Sequence, residues 1–186
     1  MSFVSVRLPL GVAALVLAAC QSAVPDRHAT SSSKVAASLP PPSACQTVST
    51  EVVPKLNLPR TEIPRQQGAA DAGPAITQVN TVNRPLAEAG AWHKVDAGWS
   101  VLALDIASAQ ARTLAVRLNT VTLPPQSQAW LCSAGTPARH GPYPVNNGEL
   151  WTPGVPGAQV RLEIWVPNAQ REQFSGFLAD VYSAYQ

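Results

Sequence analysis

Between residues 158 and 166 the chain alternates at every step, with Ala158, Val160, Leu162, Ile164 and Val166 interleaved by Gln159, Arg161, Glu163 and Trp165. Successive side chains of an extended strand point to opposite faces, so this run predicts a strand with one buried and one open face. Leu114, Val116 and Leu118 alternate with Ala115, Arg117 and Asn119 in the same way, and the pattern slips at Thr120, where a bulge is expected. Residues 99–106, 129–132 and 174–182 supply further strands. Turn chemistry at residues 124–125, 135–137, 146–148 and 153–157 separates them. Eighteen prolines, each lacking an amide donor, argue against a helical bundle. The expected fold is all-β, an antiparallel β-sandwich of jelly-roll or immunoglobulin-like kind. Only the alanine-dense stretch 103–112 leaves a helix as a competing reading.

Aromatic residues mark where the core lies. None occurs between Gln21 and Ala91, whereas residues 92–186 hold all five Trp, all three Tyr and two of the three Phe. These side chains supply much of the buried area of a core, which places the sandwich at residues 92–186. Residues 46–91 form a Pro-rich arm in which 47–53 and 76–82 read as edge strands or extended segments docked on the sandwich. Residues 20–45, with Ser31-Ser32-Ser33 and Pro40-Pro41-Pro42, bury too little to offset their ordering entropy and read as a disordered tether.

The first 19 residues read as a signal peptide. Arg7 is the only charged side chain among the first 25 residues, and an apolar run from Leu8 to Leu17 leads into Leu17-Ala18-Ala19-Cys20. This resembles the bacterial lipoprotein lipobox, in which small residues fit a narrow peptidase pocket and the cysteine thiol takes the lipid. Lipidation is therefore expected at Cys20, with palmitate among the acyl chains. Gln21 stands where an Asp would resemble an inner-membrane retention signal, so the expected address is the outer membrane, facing the periplasm. Removal of Arg7 lowers the net charge from +2 to about +1, and no two Lys or Arg are adjacent, so nothing offers a footprint for nucleic acid.

With Cys20 lipidated, Cys45 and Cys132 remain. In an oxidising compartment they are a candidate disulfide; the other reading leaves Cys45 free and Cys132 a small buried hydrophobe. No metal and no cofactor is expected, because no Cys-x-x-Cys is present and His28, His93 and His140 have no second ligand at one-turn spacing.

Three runs carry a resemblance: LPPQSQAWLCSAG from Leu123, then Gly141-Pro142-Tyr143, then Gly148-Glu149-Leu150-Trp151-Thr152-Pro153 ahead of a Pro-Gly turn and the alternating strand closed by Val166-Pro167. In this order they resemble the non-catalytic β-sandwich region that precedes the trypsin-like domain of bacterial secreted lysyl endopeptidases and related serine proteases. The resemblance extends more loosely back to Trp99, covering residues 99–167. It implies a protein-binding role, assisting or restraining a secreted hydrolase. Only 33 residues follow Pro153, and a catalytic domain needs on the order of two hundred.

No enzyme is expected. No Gly-Asp-Ser-Gly-Gly run occurs, and His93 and Asp96 read as part of a surface turn. Glu149 and Glu163 are the nearest approach to a glycosidase pair, but Glu163 beside Arg161 reads more simply as half of a surface ion pair. Binding remains. Arg161, Glu163 and Trp165 share the polar side of their strand, and a Trp flanked by charges is a common composition for a protein contact. The same Trp165 is suited to stacking on a sugar, which makes glycan or peptidoglycan the alternative partner, unless residues 46–85 cover it. Trp99, Trp130 and Trp151 are assigned to the core. The lipobox carries a direct test: Cys20→Ala is expected to release the chain from membranes into the soluble fraction, and unchanged membrane association would contradict it.

Overall fold

The computed structural model describes residues 42–49, 52–59, 76–136 and 138–185. The signal peptide, the lipidation site at Cys20 and most of the 20–45 tether lie outside the described residues. In chain order the strands are β1 (Lys55–Leu58), β2 (Ile76–Pro85), β3 (Ala91–Val95), β4 (Trp99–Ser108), β5 (Thr113–Thr122), β6 (Gln128–Ser133), β7 (Arg139–His140), β8 (Leu150–Trp151), β9 (Val155–Pro156), β10 (Gln159–Pro167) and β11 (Ser175–Tyr185). They form two sheets. Sheet I runs β1-β4-β10-β6-β7, and sheet II runs β2-β11-β5-β8.

Both expected central strands carry their alternation into the structure. In sheet I, Val160, Leu162, Ile164 and Val166 of β10 point inward with Leu102, Leu104 and Ile106 of β4 and Leu131 of β6. From sheet II they meet Leu114, Val116 and Leu118 of β5 and Leu178 and Val181 of β11. Non-directional burial of these aliphatic side chains between two layers is the main force holding the fold. The fold is thus the expected all-β sandwich, with one parallel pair, β1 on β4.

The strand expected over residues 99–106 is β4, and its pairing with β10 from Trp99 to Ala107 sets aside the competing helix. Other local expectations are refined or corrected. Of the two readings for residues 47–53, the docked segment holds: its described part has no strand but packs on sheet I through Val48 and Val53, and the arm then contributes Lys55–Leu58, which shares one edge of β4 with β3. His93 lies in β3, opposite Val101, and not in a turn. The sandwich also starts well before residue 92, since β1 and β2 supply an edge strand to each sheet and Leu86, in the single helical turn α1 (Leu86–Ala89), is fully buried.

Two irregularities set which side chains reach the outer face of sheet II. Thr120, with φ 51°, forms the expected bulge: β11 advances from Ser175 to Phe177 while β5 steps from Thr122 to Asn119, which turns Val121 inward. A second shift lies in β11 between Leu178 and Asp180. Leu178 is inward and so is Val181, so the phase inverts across the shift and Asp180 is carried to the outer face.

The runs that carried the resemblance have separate structural work. Gly141 has φ 127°, and a Cβ there would meet the Ala129 carbonyl oxygen at 2.8 Å, so only glycine fits where the chain crosses β6. The Tyr143 amide then donates to that same oxygen at 2.9 Å. Asn147 and Gly148, both with positive φ, turn the chain between the paired amides and carbonyls of Asn146 and Glu149. Leu150 enters the core, and Thr152 locks β8 to β5: its amide donates to the Val116 carbonyl at 3.0 Å and its hydroxyl accepts from the Val116 amide at 2.8 Å.

Candidate functional site

A two-layer sandwich has two outer faces, and this one closes the face that bears Arg161, Glu163 and Trp165. These residues do share a side of β10, with Trp99, Val101, Ala103 and Asp105 of β4 and Trp130 and Cys132 of β6 beside them. The face is not open, however. Ala44 and Val53 pack on Trp99, Trp130 and Trp165, and Trp165 retains 1% of its exposure. The expected surface contact is corrected accordingly: Trp165 is a core residue of a second, smaller cluster, held edge-on to Trp99 at 6.2 Å.

The segment that covers this face is fastened at four points. A disulfide joins Cys45 to Cys132, with their Cα atoms 5.4 Å apart. The Cys45 amide donates to Glu163 Oε2 at 2.8 Å. Arg161 Nη1 donates to the Val48 carbonyl at 2.7 Å, and the Pro54 carbonyl accepts from the Asp105 amide at 2.9 Å. The ion pair read between Arg161 and Glu163 does not form. Arg161 lies opposite Asp105 in the register and grips both of its carboxylate oxygens, at 2.7 and 3.2 Å. Glu163 is fully buried, taking the Trp165 indole N–H at 2.9 Å on the oxygen that also accepts from Cys45.

Sheet II presents the opposite condition. Its register aligns Trp151 of β8, Arg117 of β5, Asp180 of β11 and Thr81 of β2 in one row across four strands. Arg117 sits at the centre: its guanidinium is 2.7 Å from Asp180, 3.1 Å from Glu149, and 5.2 Å from the centre of the Trp151 ring. Thr81 Oγ1 donates to Asp180 at 2.8 Å, and the Trp151 indole N–H donates to Glu149 at 3.1 Å. In the next row Tyr182 lies between Ala115 and Val79. The small side chain at Ala115 leaves room for the Trp151 and Tyr182 rings to approach to 5.7 Å, tilted by 36°. Trp151 is 51% exposed and Val79 52%. Trp151, read as core from the sequence, is the exposed tryptophan of this face, and that assignment too is corrected.

Charge fixes the geometry of this row. Burial alone pushes the Asp180 carboxyl up, but hydrogen bonds from Arg117 and Thr81 and the nearby positive charge outweigh it, and the net effect is a value below the ordinary 3.8. Its hydrogen bond to Asp180 is the main reason the Arg117 guanidinium is held above its ordinary value, against the cost of desolvation. Asp180 is therefore a firmly ionised acceptor and a poor proton donor. Glu149 and Glu163, weighed as a carboxylate pair, stand on the outer sides of different sheets, one in the Arg117 array and the other against the Cys45 disulfide. They do not form a two-carboxylate site.

Comparison with family models, with curated proteins and with solved structures finds no match.

The signal for Trp151 was present in the residues: with Leu150 inward and Thr152 inward, strict alternation puts Trp151 outside. No such signal exists for Asp180, whose outward placement depends on the shift in β11. Because its folded value is depressed, Asp180 stabilises the fold above the ordinary carboxylate range and loses that contribution as pH falls through the folded value. Asp180→Asn is therefore expected to lower stability at neutral pH, with the gap from wild type closing as the pH drops below 3.8, as urea unfolding across pH will measure. A gap that stays constant or widens on acidification would contradict the assignment.

Proposed function

We propose that the chain is a non-enzymatic envelope lipoprotein, anchored through Cys20 at the periplasmic side of the outer membrane. Its sandwich binds a protein partner through the outer face of sheet II. The observation that carries this reading is the exposed Trp151 held in a pre-ordered row with Arg117, Glu149 and Asp180. A large aromatic side chain and an Arg fixed in one geometry lose little conformational freedom on binding, and both types dominate protein contacts. The resemblance to the sandwich beside serine-protease catalytic domains supports a secreted hydrolase as the partner, since Glu149 and Trp151 lie within its Gly-Glu-Leu-Trp-Thr-Pro run. The fixed carboxylate supports a binding role: Asp180 accepts from the Arg117 guanidinium and the Thr81 hydroxyl, which hold it as an ionised acceptor.

A second reading follows from the ring pair. Trp151 and Tyr182 lie side by side next to the partly exposed Glu149, an arrangement that suits stacking against a sugar with that carboxylate accepting from its hydroxyls. The glycan alternative thus moves from Trp165 to Trp151.

Removal of an interfacial Trp commonly costs about 2 kcal/mol or more, a loss of tens of fold in affinity. Trp151→Ala is expected to reduce capture of a secreted serine protease by the tagged, cross-linked lipoprotein by that factor, leaving thermal unfolding close to wild type. Selective loss of retention on purified peptidoglycan would favour the glycan instead. Undiminished binding of both kinds by the folded variant would overturn the assignment of this face.

A further inference from the structure

The closed face of sheet I holds a group of side chains that a binding role for sheet II does not use. Cys45 Sγ, Cys132 Sγ and a carboxylate oxygen of Glu163 all lie within 4.8 Å of one another, brought together from the covering segment, β6 and β10. Glu163 is fully buried, yet its Oε1 has no hydrogen-bond partner. Leaving a buried carboxylate oxygen unpartnered is costly, and the neighbouring cation does not relieve it, because Arg161 is engaged by Asp105 and the Val48 carbonyl. Cys132 is buried, whereas Cys45 is half-buried and keeps one side of the group open to solvent.

We infer that, once the disulfide is reduced, Cys45, Cys132 and Glu163 form a two-thiolate, one-carboxylate site for zinc. Tetrahedral zinc at about 2.3 Å from each sulfur needs the two sulfurs about 3.8 Å apart. The Cα separation of 5.4 Å allows that spacing by side-chain rotation. The chemistry balances with a dithiol as reductant: the disulfide takes two electrons and two protons from it, giving two thiols and the cyclic disulfide of the reductant. Binding of one Zn²⁺ then releases the two thiol protons. The site carries three negative charges against two positive, and the excess is met by the Cys45 and Trp165 N–H groups that already donate to Glu163. Thiolate ligands select zinc over harder cations, and water completes the fourth position on the open side. The spacing of the three residues, 45, 132 and 163, hides this group from any motif search.

The test uses the full chain without its lipid, reduced by a dithiol under argon and titrated with Co²⁺ as a coloured substitute for Zn²⁺. The expected result is one ion per chain with an intense near-ultraviolet thiolate-to-cobalt band. That band should be absent from the disulfide-intact chain and strongly diminished in Cys132→Ser. Glu163→Gln should weaken Zn²⁺ binding by about tenfold or more, since loss of even an outer-shell partner typically costs that much. The infrared difference spectrum of the unmutated chain with and without Zn²⁺ should also show a shifted carboxylate stretch, which decides the matter if Glu163→Gln fails to fold. No cobalt band in the reduced chain, or a band with no carboxylate shift and unchanged affinity in a folded Glu163→Gln, would overturn the inference.

Discussion

The packing of Ala44 and Val53 onto Trp99, Trp130 and Trp165 decides which side of this sandwich faces the outside. Without that cover, sheet I would expose three tryptophans, and an apolar patch of that kind invites association. With it, the sheet acquires a second, smaller core on its outer side. The cover is short, and a short segment has little apolar area with which to hold itself down. Its attachment therefore relies on the disulfide, whose loop of 87 residues restricts the unfolded chain by about 4–5 kcal/mol in the entropy account. Arg161 and Glu163 add polar fastenings at Val48 and Cys45. The strand side that looks most like a binding surface is thus used to retain the chain's own arm.

Closing one face leaves the outer side of sheet II as the more open one, and register gives that surface its order. Trp151, Arg117, Asp180 and Thr81 occupy corresponding positions on four strands, so their mutual distances are set by the spacing of the sheet rather than by loops. Arg117 joins the row by pairing with carboxylates on both sides while lying against the Trp151 ring. The pair with the more exposed Glu149 adds little stability, whereas that with the buried Asp180 adds more. Together they hold the Trp151 ring and the Arg117 guanidinium in one geometry.

The sandwich and most of its strands were legible from periodicity. The alternation at residues 158–166 and 114–118, with the slip at Thr120, predicted β10, β5 and the bulge in β5. What alternation cannot show is what lies above a face. It placed Arg161, Glu163 and Trp165 together correctly, but polar identity on one side of a strand does not distinguish solvent from a covering segment more than 100 residues away in sequence. Arg161 looked like a partner for Glu163 because they are two residues apart. In the sheet it meets Asp105 directly across the ladder, which is the shorter path. Trp151 was misplaced for a different reason: the alternation of Leu150, Trp151 and Thr152 is only three residues long, and it was outweighed by the tendency of a large aromatic to be buried. The inverted phase of β11 was also invisible, so Asp180 and Tyr182 could not be assigned to the outer side of sheet II.

The central claim is that one outer face is closed and the other open, and the tryptophans report on both. Hydroxyl-radical footprinting of the disulfide-intact chain, read residue by residue by mass spectrometry, tests it most directly. The account predicts rapid modification of Trp151 and strong protection of Trp99 and Trp165. Rapid modification of Trp165 with protection of Trp151 would contradict it.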